Sequence, residues 1–315
     1  MAIPIILDCD PGHDDAIAIM LALGSPEVDL IAVTAVSGNA PLHHTRANAI
    51  RVLDHLGRSD IPVAAGAARP LVQDPFTPGD VHGPTGIDGP DLAPAGREPV
   101  AAHAIDLIAE LALGERRPVT LVATGPLTNV ALFVARHPDA AAALGRIVFM
   151  GGAIGLGNVT PAAEFNIWVD PEAASAVLRS GAPLRLVGLD VTLQVRMSRE
   201  DGRRMAEAEG SFARFAGEYT LAWIDHMHAT NPGDPSSADS CAMHDPLALA
   251  AVPRPDLLTW RDAAVDVVTG PSIARGVMVA DLLTSDSPPA ANCRIAVGVD
   301  VPGFTAYFVE RMSQL

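Results

Sequence analysis

The 315-residue chain contains no lysine: all 21 basic side chains are arginine. Schiff-base catalysis and P-loop phosphate binding both call for a lysine, so those classes are excluded. Cysteine is scarce. The three present, Cys9, Cys241 and Cys293, are odd in number, which argues against a disulfide framework and fits a reducing compartment. A cytoplasmic location is therefore expected. Positive charge is in deficit overall: the net charge is -16, which argues against nucleic acid and anionic membranes as partners. Long apolar runs are missing. The longest, Ala16 to Leu23, is far too short to span a bilayer, and the N-terminus lacks the basic region and cleavage site of a signal peptide. Aromatic residues make up only 4% of the chain, although 49% is hydrophobic, ample for a large core. No internal repeat or linker divides the sequence, so residues 1–315 are expected to form a single domain.

Short β-branched runs do recur, at Ile3–Leu7, Leu30–Ala35, Val119–Ala123, Ile147–Met150 and Leu184–Gly188. Segments with apolar residues at helical spacing lie between most of them, including Ala40–Leu56 and Val100–Leu113. A helix beginning at Pro126 should end before Pro138. Asp170 reads as an N-cap, Pro171 as the first helical residue and Gly181 as the stop. This alternation predicts an α/β fold: an open, mostly parallel sheet flanked by helices. Two stretches break the rhythm. Residues 65–99 read as a long loop, and 211–245 begin helically and then dissolve into a flap. The tail, 257–315, mixes short strands with a final helix.

The first strand ends in an unusual way. "ILDCDPGHDD" places Asp8, Asp10, Asp14 and Asp15 within eight positions, with Pro11 and Gly12 among them. Ligand crevices in parallel α/β sheets lie beyond the carboxyl ends of the strands. At the other predicted strand ends stand Asn39, Thr124, Asn129, Asn158, Glu164 and Asn166, and later His244 and Asp245. This is a set of oxygen ligands and amides, which suits a hard divalent cation such as Ca²⁺ better than zinc. A cation would also relieve the repulsion among crowded carboxylates. Taken singly, each residue has a plainer explanation: an Asp as a solvated turn or helix cap, Asn39 as a turn residue, His82 as a loop histidine. Their coincidence at the strand ends of one sheet weakens the plainer view.

These residues resemble those of the inosine-uridine-preferring nucleoside hydrolases. "DCDPGHDDAIAI" at 8–19 is similar to that family's N-terminal signature. The likeness continues through "SGN" at 37–39, "HG" at 82–83, "TGPLTN" at 124–129, "MGG" at 150–152, "EFN" at 164–166 and "HDP" at 244–246. The resemblance implies a Ca²⁺-dependent N-ribohydrolase of purine and pyrimidine salvage, with the nucleoside hydrolase fold and a Rossmann-like core, assembled as a homodimer or homotetramer. Its substrate would be a small ribonucleoside. Carried over by position, Asp10, Asp15, the carbonyl of Thr124 and Asp245 would ligate the metal. Asp14, Asn39, Asn158, Glu164 and Asn166 would hold the ribose hydroxyls, and Asp8 would support the metal loop from behind. Breaking the N-glycosidic bond develops positive charge on the ribose, which such a carboxylate-rich site stabilises. Asp10 is the expected base for the attacking water. His244 and His82 are the candidates to protonate the leaving base, His244 first because it adjoins a metal ligand.

The base pocket departs from the family's pattern. The segment before "HDP" offers Trp223, His226 and His228, and Trp168 is a further candidate for stacking. The preferred nucleobase is left open. Two alternatives carry weight beside the hydrolase. A haloacid-dehalogenase-type phosphatase also begins with a strand ending in "DxD" and binds a divalent cation, but ordinarily uses the lysine this chain lacks. A non-catalytic nucleoside- or ribose-binding protein would have no need of His244 as a proton donor.

Overall fold

A computed structural model describes residues 1–76, 82–87, 92–230, 233, 235–283 and 287–313. The chain opens with β1 (Ile3–Cys9), α1 (His13–Gly24), β2 (Val28–Ala35), α2 (Leu42–His55) and β3 (Val63–Ala65). Then come α3 (Ala104–Gly114), β4 (Thr120–Ala123), α4 (Thr128–Arg136), α5 (Pro138–Ala143) and β5 (Arg146–Met150). The middle of the chain forms α6 (Phe165–Val169), α7 (Pro171–Leu178), β6 (Leu184–Val187), α8 (Leu189–Thr192), β7 (Arg196–Ser198), α9 (Arg199–Ala206) and α10 (Ser211–Thr230). The remainder holds β8 (Ser240–Ala242), α11 (His244–Ala250), β9 (Leu258–Ala263), β10 (Val265–Val267), β11 (Met278–Ala280), β12 (Cys293–Val299) and α12 (Val301–Met312).

Eight strands form one sheet in the order β3-β2-β1-β4-β5-β6-β12-β9. Every pairing in it is parallel except β12 with β9, at one edge. The central strands read as unbroken apolar runs because both faces are covered. In β1, Ile5 and Leu7 face one core and Ile6 the other. The first core is packed by α1, α2, α10, α11 and α12, the second by α3, α4 and α7. All five anticipated strands form. Asp170 caps α7 as expected, its carboxylate accepting the Ala173 N–H at 3.0 Å, with Pro171 in the first turn.

The sequence pattern missed some local structure. Pro138 ends α4 but also opens a second short helix, α5, because its missing N–H costs nothing at a first helical position. The expected 211–245 flap is mostly regular: α10 fills 211–230, and β8 pairs antiparallel with β7, Arg196 facing Ala242. Strands of three residues are too short to carry a period-two signal. Residues 231, 232 and 234, within the same stretch, and 77–81 and 88–91, within the 65–99 loop, lie outside the described residues. No helix among the described residues is long and apolar enough to cross a membrane.

Candidate active site

Beyond Cys9 the chain turns through Pro11 and Gly12, and α1 starts at His13, so Asp14 and Asp15 fall in its first turn. α11 likewise starts at His244 and puts Asp245 in its first turn. Two helix N-termini therefore present positive dipole ends to these anions. The carboxylates of Asp14, Asp15 and Asp245 approach within 4.8 Å of one another, all buried. Burial raises all three pKa values, with repulsion from neighbouring carboxylates adding to it for Asp14 and Asp245: Asp14 to about 8, Asp245 well above the carboxylate range, Asp15 upward against the hydrogen bonds it accepts.

Asp15 is the best satisfied. It accepts the Gly12 N–H at 3.0 Å, the Thr124 hydroxyl at 2.8 Å and the Asn39 amide at 3.2 Å. Asp10 accepts the Asn39 backbone N–H at 2.6 Å through Oδ2, while its Oδ1 is buried with no hydrogen-bond partner. Asp14 Oδ1 is orphaned in the same way. Burial, then Asp15, holds Asp10 well above its usual pKa. Asp8 lies behind, accepting the Thr34 hydroxyl at 2.5 Å and the Asn129 amide at 2.8 Å, with its pKa pushed by burial to about 7. Orphaned buried carboxylate oxygens in an all-oxygen donor set fit a hard divalent cation.

Asp14 and Asp245 form one wall of a cavity of about 310 Å³. Asn39, Thr124, Asn158, Glu164 and Asn166 line it too, so the sequence-predicted sugar residues converge. Glu164 caps α6: its carboxylate accepts the N–H groups of Asn166 (2.9 Å), Ile167 (3.2 Å) and Gly152 (2.7 Å). The Asn166 amide donates to the Thr124 carbonyl at 2.7 Å, leaving its own oxygen for a ligand. The Asn158 oxygen accepts the Phe165 N–H at 2.9 Å.

His82 and His244 also line the cavity. His82 Nδ1 accepts the His13 backbone N–H at 3.3 Å, so the neutral ring carries its proton on Nε2. Burial, and then neighbouring His13, hold its pKa well below the usual value. His244 Nδ1 lies 2.7 Å from the Thr192 hydroxyl, and burial followed by the charge of Arg196 lowers its pKa to about 4.

Of the base-pocket candidates, Trp223 lines the cavity, together with Met227 one helical turn on. His226 is not among the residues lining the cavity, and stacks on His13 at 5.1 Å behind His82 and Trp223. His228 is exposed and does not line the cavity, because it lies on the solvent side of α10. Trp168 is also outside the cavity, packed edge-on against Phe76 at 5.1 Å. Sequence patterning did not single out His13, which is fully buried between His82 and Trp223. Nor did it point to Arg196, Ser240 or Cys241, which reach the cavity only through the β7–β8 pairing.

Residues 5–306 match the family model described as inosine-uridine preferring nucleoside hydrolase. The pyrimidine-specific ribonucleoside hydrolase RihA of Enterobacter sp. (strain 638) is 44% identical, over 100% of this chain and 99% of its own. The protein of the same name from Shewanella sp. (strain MR-7) is 43% identical, over 99% and 97%. Among solved structures, the purine-preferring ribonucleoside hydrolase from Gardnerella vaginalis superposes with a TM-score of 0.89 at 34% identity, covering 98% of each chain. These likenesses set aside the phosphatase and the non-catalytic binder. The chain belongs to the inosine-uridine preferring nucleoside hydrolase family, and is an enzyme that hydrolyses the N-glycosidic bond of ribonucleosides.

Proposed function

We propose that this hydrolase works with Ca²⁺ held among Asp10, Asp15, Asp245 and the Thr124 carbonyl, and that its preferred substrates are pyrimidine ribonucleosides. The observation that carries the metal reading is the set of buried, mutually repelling carboxylates with orphaned oxygens at one wall of an amide-lined cavity. The base preference is supported by full-length relatives named pyrimidine-specific at 42–44% identity, against a purine-preferring one at 34%.

In the reaction the C1′–N bond breaks with its electron pair passing to the base nitrogen. The water oxygen bonds to C1′ as its proton passes to a carboxylate, and the base nitrogen takes up a proton from solvent in exchange, giving ribose and the neutral free base. When bound, Ca²⁺ supplies the charge that offsets the carboxylates and orients the water and the ribose hydroxyls. Asp10, with its raised pKa and unpartnered Oδ1, takes the water proton. Asp14, Asn39, Asn158, Glu164 and Asn166 hold the sugar, and Asp8 fixes the loop behind. The ionised wall stabilises positive charge developing on the ribose. His244 is uncharged at neutral pH, so it meets the leaving base as an N–H donor, with His82 Nε2–H as the second donor. Base contacts fall to Trp223 and Met227. We further propose that the whole chain acts as one domain, in the cytoplasm, in nucleoside salvage, as a homodimer or homotetramer.

A panel of purine and pyrimidine ribonucleosides, assayed with calcium and after chelation, tests this directly. Release of ribose from uridine and cytidine ahead of inosine, abolished by chelation, is expected. Equal rates with chelator present would sink the metal reading, and faster inosine turnover the base preference. Asp10→Asn should abolish turnover. For His244→Ala, the loss should be larger with uridine than with a nitrophenyl riboside, whose leaving group needs no help.

A further inference from the structure

β5, β6 and β12 run side by side and parallel. The carboxyl end of β5 reaches the catalytic cavity at Met150. Near its N-terminal end each of the three strands carries an arginine: Arg146, Arg185 and Arg294. Arg294 and Arg185 are register partners, and Arg185 faces Val148, two residues along β5 from Arg146. With Gly145, Pro183 and Leu184 they line an open cleft of about 300 Å³.

The three cations are poorly neutralised. Among the described residues, no carboxylate lies within ion-pair distance of Arg146 or Arg185. Arg294 reaches Asp262 only at 3.8 Å, with both side chains exposed. Arg185 lies over the Trp260 ring at 5.4 Å, and its Nη1 is buried with no hydrogen-bond partner. Burial, and then the charges of Arg146 and Arg294, pull its pKa down. Solvated surface arginines are common and mean little alone. A buried guanidinium donor without an acceptor, beside two like charges in a chain of net charge -16, is not that case.

We propose that this cleft binds a phosphate-class oxyanion, at the amino-terminal ends of these strands, the end of the sheet opposite the catalytic cavity. Guanidinium groups match phosphate oxygens in geometry and charge; three of them line this cleft, and Arg185 Nη1 has no acceptor of its own. The site is separate from the reaction: about 13 Å of strand separates Arg146 from Met150.

The test is calorimetric titration of the full-length, metal-loaded protein with inorganic phosphate, and separately with ribose 5-phosphate, at low ionic strength. One equivalent should bind, and the variant R146Q/R294Q should bind at least about tenfold more weakly while melting normally in chloride. R146Q alone serves if the double variant does not fold, with a smaller loss in the same direction. Tighter binding of ribose 5-phosphate assigns the site to a sugar phosphate; equal binding assigns it to the free ion. Two results overturn the proposal: no binding beyond a chloride control of equal ionic strength, or equal affinity in wild type and variants.

Discussion

Stripping the cation should make the protein's stability fall as pH rises, the opposite of ordinary acid denaturation. A carboxyl whose folded pKa is raised favours the folded state while it is protonated. That contribution is complete below the ordinary value and is lost as pH climbs through the folded value. For Asp14 the window runs from 3.8 to about 8. The full span is worth about 6 kcal/mol, at about 1.4 kcal/mol per unit. The histidines act in the other sense. His244, held at about 4, and His82, held lower than usual, favour folding while neutral, a contribution present above 6.5 and lost as pH falls. The informative range is therefore pH 6.5 to 8, where Asp14 still titrates and the two histidines oppose it by only about 0.8 kcal/mol together. There Asp14 alone costs the metal-free protein about 2 kcal/mol, a fall in Tm of about 3 °C for a chain of 315 residues. Asp10, Asp15 and Asp245 are shifted the same way and should add to it. Cation binding needs ionised carboxylates, so added calcium should flatten or invert the slope, stabilising by about 2.7 kcal/mol at a hundredfold excess over Kd. Differential scanning calorimetry in chelator and in calcium, at several pH values, measures both slopes, and Asp14→Asn should shrink the metal-free one. A Tm in chelator that is flat or rises from pH 6.5 to 8 would refute the charge-crowding account.

Other substitutions probe how the site is held. In Gly12→Ala the new Cβ would lie 2.7 Å from the Asn39 amide nitrogen and 2.8 Å from His82 Nδ1. Both side chains must move, so kcat/KM should fall about 100-fold, with Tm lowered far less; near-normal kinetics would show that the packing of this turn is not what places them. Trp223→Phe keeps an aromatic ring, though a smaller one, and removes a buried N–H that has no protein partner. If that N–H meets the base, KM for uridine should rise about fivefold, near 1 kcal/mol, and an unchanged KM would exclude the contact. Asp170→Ala loses the acceptor for Ala173 N–H, Leu71 N–H and the Thr128 hydroxyl, all buried or partly so. A loss of about 2–4 kcal/mol in urea unfolding is expected, and a loss under 1 would mean water replaces the carboxylate.

The parts of the molecule readable in the sequence are those fixed locally. The strands from Ile3, Leu30, Val119, Ile147 and Leu184 are continuous apolar runs buried on both faces. Asp10, Asp14 and Asp15 converge because a turn and one helical turn join them. Asp245 could be placed because it stands in the first turn of a helix that begins with the recognisable "HDP". The base side of the cavity is different. Trp223 and Met227 come from α10, while Arg196 and Ser240 arrive through a pairing of two three-residue strands. His13 meets His82 across 69 positions of sequence. Nothing local distinguishes Trp223, which lines the cavity, from Trp168, which packs on Phe76.

The same contrast governs the two concentrations of like charge in this protein. Repulsion among Asp8, Asp10, Asp14 and Asp15 can be seen in a stretch of eight residues, and so can the inference that a cation relieves it. Arg146, Arg185 and Arg294 pose the same electrostatic problem with the sign reversed, but each stands alone in its own strand. Only the parallel register of β5, β6 and β12 brings them to one cleft. A short acidic motif announces its counterion from sequence, whereas a basic site assembled across a sheet becomes visible only once strand order is known. The catalytic end of the sheet was therefore open to inference from motifs, and the opposite end required the fold.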